Sequence, residues 1–130
     1  MLEFMKALKT AASGMQAQAN RQRLISENVA NADTPGYRRK LATFATELDR
    51  QTGAPTVKMG RVTLDQSELK KVYDPSHPLA DDTGSLRMSN VNLITEIADA
   101  RQANRTYSAN LNMFDQTRRM YASVLDLLRR

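Results

Sequence analysis

Residues 93–128 read LITEIADARQANRTYSANLNMFDQTRRMYASVLDLL, a stretch without proline or glycine. Steps of four and three through it land on Leu93, Ile97, Ala100, Asn104, Tyr107, Leu111, Phe114, Arg118, Tyr121, Leu125 and Leu128. All but Asn104 and Arg118 can pack in an apolar seam, and this spacing is the a/d pattern of a helix laid against another helix. At 1.5 Å per residue the stretch predicts a rod about 54 Å long. A chain of 130 residues has little room to bury such a rod inside itself, so the rest of the sequence is read for what covers it.

Residues 1–30 repeat the rhythm through Met1, Met5, Leu8, Ala12, Met15, Ala19, Gln22, Ser26 and Val29. All but Gln22 and Ser26 are apolar. Gly14 opposes a helix by roughly 1 kcal/mol relative to alanine. Two readings fit: a surface helix on a globular core, or a coiled-coil-like partner of the C-terminal helix. The shared rhythm favours the second. A middle segment that returns the chain makes the two helices antiparallel.

The C-terminal helix carries a second seam, Met113, Thr117, Met120, Val124 and Leu127, about 100° around from Phe114 and Tyr121. Leu24 and Ile25 likewise fall off the N-terminal seam. Apolar residues round most of a helix imply burial on several sides, which a two-helix hairpin does not provide and several chains packed together do. The competing reading is scattered exposed apolar residues, which are ordinary on protein surfaces. Polar seam positions such as Asn104, Arg118, Gln22 and Ser26 are then candidates for fixing register.

Between the helices, Asn31-Ala32-Asp33-Thr34-Pro35-Gly36-Tyr37 ends the first one, because Thr34 precedes proline and Pro35-Gly36 is a turn pair. Arg38-Arg39-Lys40 reads either as a solvated charge run or as a contact point for a neighbouring chain. Leu41, Phe44, Ala45 and Leu48 share one face of a short helix over 41–48, broken at Gly53-Ala54-Pro55. Alternation at Val57, Met59, Val62 and Leu64, out of phase across Gly60, predicts a small hairpin or bulged strand. Leu69–Tyr73 and Leu86–Met88 are further strand candidates. The prolines of Asp74-Pro75-Ser76-His77-Pro78 forbid regular structure between them. Asn92 is placed to cap the long helix. The fold class is mainly α with a small β-rich middle: core helices over 1–30 and 91–130, and an outer turn and β-rich segment over 31–90.

Composition narrows function. With no cysteine, disulfides and thiolate metal sites are excluded. The single histidine, His77, has no second histidine or cysteine with which to hold zinc. Asp81, Asp82 and Gly84 resemble a calcium-loop fragment without its closing glutamate. No base stands ready for a nucleophile, so an enzyme is not expected, nor a cofactor. A net charge of +5 raises nucleic-acid binding as an alternative class, but the basic residues lie in separated groups without a helix-turn-helix or zinc-finger spacing. No apolar run approaches a membrane span, and Glu3, Lys6 and Lys9 interrupt any signal-peptide core.

Collectively, Ala12-Ser13-Gly14-Met15-Gln16-Ala17-Gln18, Ser26-Glu27-Asn28-Val29-Ala30-Asn31 and Thr34-Pro35-Gly36-Tyr37 resemble the signature of bacterial flagellar rod and hook axial proteins. Arg38-Arg39-Lys40, Val72-Tyr73-Asp74-Pro75-Ser76-His77-Pro78 and Asn90-Val91-Asn92 extend the resemblance, specifically toward proximal rod subunits. Glu96, Ala98-Asp99-Ala100, Arg105, Tyr107 and Ala109-Asn110 continue it. Ser89 departs from the family, which often has proline there. The resemblance implies a structural subunit, exported through the flagellar type III apparatus without signal cleavage. Such a subunit assembles helically into the periplasmic rod that transmits torque. It implies as partners other copies of the chain and the rod proteins FlgB, FlgF, FlgG and FliE, with no nucleic acid and no membrane span. The sister rod protein FlgB is the near alternative. The implied assembly interface comprises Met5, Leu8, Ala12, Met15, Ala19 and Val29 with Ile97, Ala100, Tyr107, Leu111, Phe114, Tyr121, Leu125 and Leu128, and the second seam Met113, Met120 and Val124. Terminal helices whose stripes are buried only on assembly are expected to be mobile in the free monomer.

Overall fold

The computed structural model covers residues 1–130. It comprises α1 (Leu2–Ala30), β1 (Lys40–Leu41), β2 (Phe44–Leu48), β3 (Pro55–Met59), β4 (Thr63–Leu64), β5 (Lys71–Tyr73), β6 (Ser85–Arg87) and α2 (Leu93–Leu128). Local chemistry sets the helix ends. Asn92 is extended, and its side-chain oxygen accepts from the Ile94 and Thr95 amides at 2.9 and 3.4 Å, satisfying donors that a helix start leaves free. At the end of α1 the Asn31 amide donates to both Glu27 and Asn28 carbonyls. The chain then turns through Pro35 and Gly36, whose φ of 77° favours glycine.

The helices lie side by side in opposite directions. Asn28 reaches Glu96, Gln22 donates to the Ala100 carbonyl at 3.1 Å, Gly14 lies against Asn110, and the Phe4 and Tyr121 rings are 5.4 Å apart. The face that α1 buries is Ala11, Gly14, Ala17, Leu24, Ile25 and Asn28; on α2 the buried residues are Glu96 and Ala103. This inner seam differs from the apolar four-three rhythm, running largely one position earlier. Leu8, Met15, Ala100, Phe114, Tyr121 and Leu125 are half-buried, while Met5, Ala12, Ala19, Val29, Ile97, Tyr107 and Leu111 stay exposed. Helices approach most closely where side chains are small, so alanine and glycine mark the contact and the larger residues flank it. At Gly14 a Cβ would sit 2.6 Å from the Asn110 amide nitrogen. The glycine that weakens the helix locally admits the second helix. Asn104 and Arg118, candidates for setting register, are exposed, and Arg118 pairs only with Asp115 on its own helix.

The expected short helix over 41–48 is a strand instead. β2 pairs antiparallel with β3, Phe44 opposite Met59 and Leu48 opposite Pro55, and β1 pairs with β4. Together they form one long hairpin, interrupted where the Gly60 amide donates to the Thr43 carbonyl at 2.7 Å. Leu41, Phe44, Ala45 and Leu48 match a helical face, but pairing with a distant strand decides between the two. The hairpin leans on α1: Thr10 donates to the Pro55 carbonyl at 2.7 Å, the Val57 amide donates to Ser13 Oγ at 3.0 Å, and Lys9 pairs with Asp49 at 3.1 Å. β5 and β6 form the expected second ladder. The Gly36 amide ties it to the turn after α1 through the Arg87 and Met88 carbonyls.

Candidate functional site

Two features stand out: a polar junction where the helix pair meets the middle segment, and the apolar surface that this junction leaves on the helices.

Asn28 and Glu96 are the largest fully buried side chains. Asn28 Oδ1 accepts from the Tyr37 hydroxyl and the Lys40 amide, each at 2.9 Å, while its Nδ2 donates to the Lys40 carbonyl and to Glu96. One asparagine thus satisfies the backbone of the returning strand on both sides. Arg39 supplies the opposite charge: its Nε donates to Glu96, and its Nη2 lies 2.6 Å from Asp99. A second arginine, Arg21 on α1, stands 3.6 Å from Asp99. The Arg39 amide donates to Asn90 Oδ1 at 2.7 Å, and Asn90 Nδ2 reaches back to the Asp65 and Ser67 carbonyls. Buried ions persist when paired and hydrogen-bonded in this way.

The electrostatics agree. Burial works against the Arg39 charge, but the hydrogen bond to Glu96 and the fields of Glu96, Asp99 and Asp65 outweigh it and push the guanidinium up. The Lys40 hydrogen bond holds the Glu27 carboxyl below its usual range. Burial pushes the Tyr37 phenol up. These groups are committed to one another, so the arrangement fastens three chain segments together.

The family-motif residues therefore separate into groups. Asn28, Tyr37, Arg39 and Asn90 converge at the junction. Arg38 braces its edge through the Asp65 and Ser67 carbonyls. Lys40 pairs with Glu27 at 2.8 Å. The basic run is thus neither simply solvated nor free for a neighbour. Asn31, Thr34, Pro35 and Gly36 form the turn that ends α1, with Thr34 donating to Asn31, and Asn92 caps α2. Tyr73 ends β5, opposite Ser85, and Asp74, Pro75, His77 and Pro78 lie in the β5–β6 turn, away from the junction. There His77 Nδ1 accepts from the Leu79 amide at 3.0 Å. Buried Ser89 donates to the Ala32 carbonyl and so ties the entry of α2 to the exit of α1.

Outside the junction the helices present large apolar groups to solvent. They include Leu2, Met5 and Val29 on α1 and Ile94, Ile97, Leu111, Met113, Met120, Val124, Leu127 and Leu128 on α2. The second seam therefore lies on the surface of the single chain, as do most members of the first. Sequence reasoning missed the roles of Gly14, Ala17 and Glu96. The spacing of Ala11, Gly14 and Ala17 is the signal that could have shown the close contact.

Residues 8–38 match the family model described as flagella basal body rod protein, and residues 82–127 match that of the flagellar basal body rod FlgEFG protein C-terminal region. A flagellar basal-body rod protein FlgC of Agrobacterium fabrum is 47% identical over 130 residues, spanning 95% of this chain and 94% of the relative. The chain belongs to the FlgC family of flagellar basal-body rod proteins. FlgC of Salmonella typhimurium is 34% identical over 90% of this chain and 92% of its own, and FlgC of Aquifex aeolicus is 29% identical over 97% and 98%. These FlgC matches do not favour the sister FlgB or a nucleic-acid-binding module. The two matched segments meet at the junction, one bringing Asn28 and Tyr37, the other Asn90, Glu96 and Asp99. FlgC is a family of structural rod proteins, not an enzyme family, and no helix of this chain is long and apolar enough to cross a membrane.

Proposed function

We propose that this chain builds the proximal rod of the flagellum by packing its terminal helices, an antiparallel coiled-coil pair, against those of neighbouring subunits. As a FlgC-family chain it is a structural subunit of the flagellar basal-body rod. The finer reading rests on one observation: the helix pair leaves many of its large apolar side chains outside. Leu111 is 40% exposed, Met113 58% and Met120 54%, whereas the buried face of α1 is made of Ala11, Gly14, Ala17, Leu24, Ile25 and Asn28. Fully covering a leucine- or methionine-sized side chain is worth about 1.5–3 kcal/mol. The exposed remainder at each position therefore gives roughly 0.6–1.7 kcal/mol when a neighbour covers it. Summed over a strip running the length of α2, this favours association with neighbouring subunits.

In this reading each subunit is gripped on several sides, which gives the rod torsional stiffness. Met5, Ala12, Ala19 and Val29 on α1 and Ile97, Tyr107, Leu111, Met113, Met120, Val124 and Leu128 on α2 face other subunits. Leu8, Met15, Ala100, Phe114, Tyr121 and Leu125 act mainly within the pair. The neighbours are further copies and the rod proteins FlgB, FlgF, FlgG and FliE. The chain reaches the periplasm through the flagellar type III apparatus without signal cleavage. The test is a variant with Leu111→Asp and Met113→Asp, both at exposed positions, so the helix pair itself survives. The expected result is a folded, exported chain missing from basal bodies and a non-motile cell. Normal incorporation and motility would overturn the assignment of these faces.

A further inference from the structure

One exposed turn lies outside the helix strips. The β5–β6 turn holds Leu79, which is 67% exposed, beside Asp81 and Asp82. Leu79 is presented on a firm support: its amide donates to His77 Nδ1, the Ala80 amide to the His77 carbonyl, and the His77 amide to the Asp74 carbonyl. Asp81 Oδ1 accepts from the Thr83 hydroxyl and from the Thr83 and Ser85 amides. That shell, the Thr83 hydroxyl first, holds the Asp81 carboxyl below its usual range and so ionised. A turn ordered before contact loses little entropy on docking.

The first turns of α2 present an open surface patch made of Ile94, Ile97, Ala98, Arg101, Gln102 and Arg105. Ile94 is 80% exposed and Ile97 53%, and neither Arg101 nor Arg105 enters an ion pair within the chain. The patch combines apolar and basic groups; the turn has an apolar tip and an acidic flank. Within the assembly reading above, we infer that the Leu79–Asp82 turn of one copy docks on the Ile97/Arg101/Arg105 patch of a second copy beside it. The two surfaces differ, so the contact is heterologous and continues from copy to copy instead of closing a pair. The charges set which neighbour fits and in what register.

The chain has no cysteine, so introduced pairs report without background. In cells making the full chain with Leu79→Cys and Ile97→Cys, mild oxidation of isolated basal bodies is expected to give a ladder of disulfide-linked dimers and longer multimers of the chain. Their yield is expected about tenfold above either single variant, because contact raises the effective concentration of the thiols. Reversing one side, with Arg101→Glu and Arg105→Glu, is expected to lower incorporation, and adding Asp82→Arg to that chain is expected to restore part of it. If the unaltered chain is present in basal bodies yet the Leu79–Ile97 link stays at the single-variant level and the charge swap restores nothing, the docking is wrong and the rod assignment stands. If the unaltered chain is itself absent from basal bodies, both fall.

Discussion

Replacing Arg39 with methionine isolates what the junction contributes. The substitution keeps the bulk of the side chain and removes the charge facing Glu96, which is 0% exposed while the arginine side chain is 17% exposed. Glu96 is then left with one neutral donor, Asn28 Nδ2 at 3.3 Å. Breaking a buried pair from one side costs about 3–5 kcal/mol. Loss of the Asp99 contact adds less, because Arg21 stands near the same carboxylate. A loss of that size is a large part of the 5–15 kcal/mol of a typical domain, so Arg39→Met should be marginally folded at neutral pH. Adding Glu96→Met removes the unpaired charge and is expected to restore most of the loss, because apolar replacements of buried ion pairs are often near neutral. Urea denaturation followed by far-ultraviolet circular dichroism at neutral pH measures all three chains. A loss under about 1 kcal/mol for Arg39→Met, or a double variant no better than the single, would refute the view that Arg39 compensates a buried charge.

Three further outcomes follow from the same contacts. Gly14→Ala gains up to about 1 kcal/mol of helix propensity, but its Cβ meets the Asn110 amide at 2.6–2.9 Å at an overpacking cost of about 1–3 kcal/mol. It should therefore destabilise the unaltered chain and stabilise one carrying Asn110→Ala, as a double-mutant cycle in urea would show. Asn92→Ala removes the α2 cap and should cost about 1 kcal/mol by the same assay, with Asn92→Ser close to neutral. The Thr52 hydroxyl and amide, with Lys9, lower the Asp49 carboxyl from 3.8 to about 2. Because its folded pKa is depressed, the stability it contributes is complete above the unfolded value and lost as pH falls toward 2. Thermal melts should show that this acid-dependent share is missing in Asp49→Asn.

The ends of both long helices were legible from Asn92, from the Pro35-Gly36 turn and from the absence of breakers between Leu93 and Leu128. Which neighbour each face meets was less legible. Hydrophobic rhythm reports that a stripe is buried somewhere; it does not say by which chain. Here the contact inside the chain is lined by Ala11, Gly14, Ala17 and Ala103, residues that barely register as apolar, whereas Leu111 and Met113 read as core and lie outside. The junction was hidden for a related reason. Arg39 sits in a basic run and Glu96 in a charged first turn, and only the return of the hairpin brings them together across 57 residues. The strand at 44–48 had the same origin: its apolar positions suit either period, and its partner lies past a turn.

The central claim is that the outer strip of α2 is solvent-facing in the single chain and covered in the rod. With no native cysteine, thiol labelling of a Leu111→Cys chain tests it directly, using Glu47→Cys on the exposed hairpin as the reference. The account predicts that a maleimide reagent labels both positions at similar rates in the purified chain, and that in isolated basal bodies Leu111→Cys is strongly protected relative to the purified chain. Equal labelling of Leu111→Cys in the two states would contradict it.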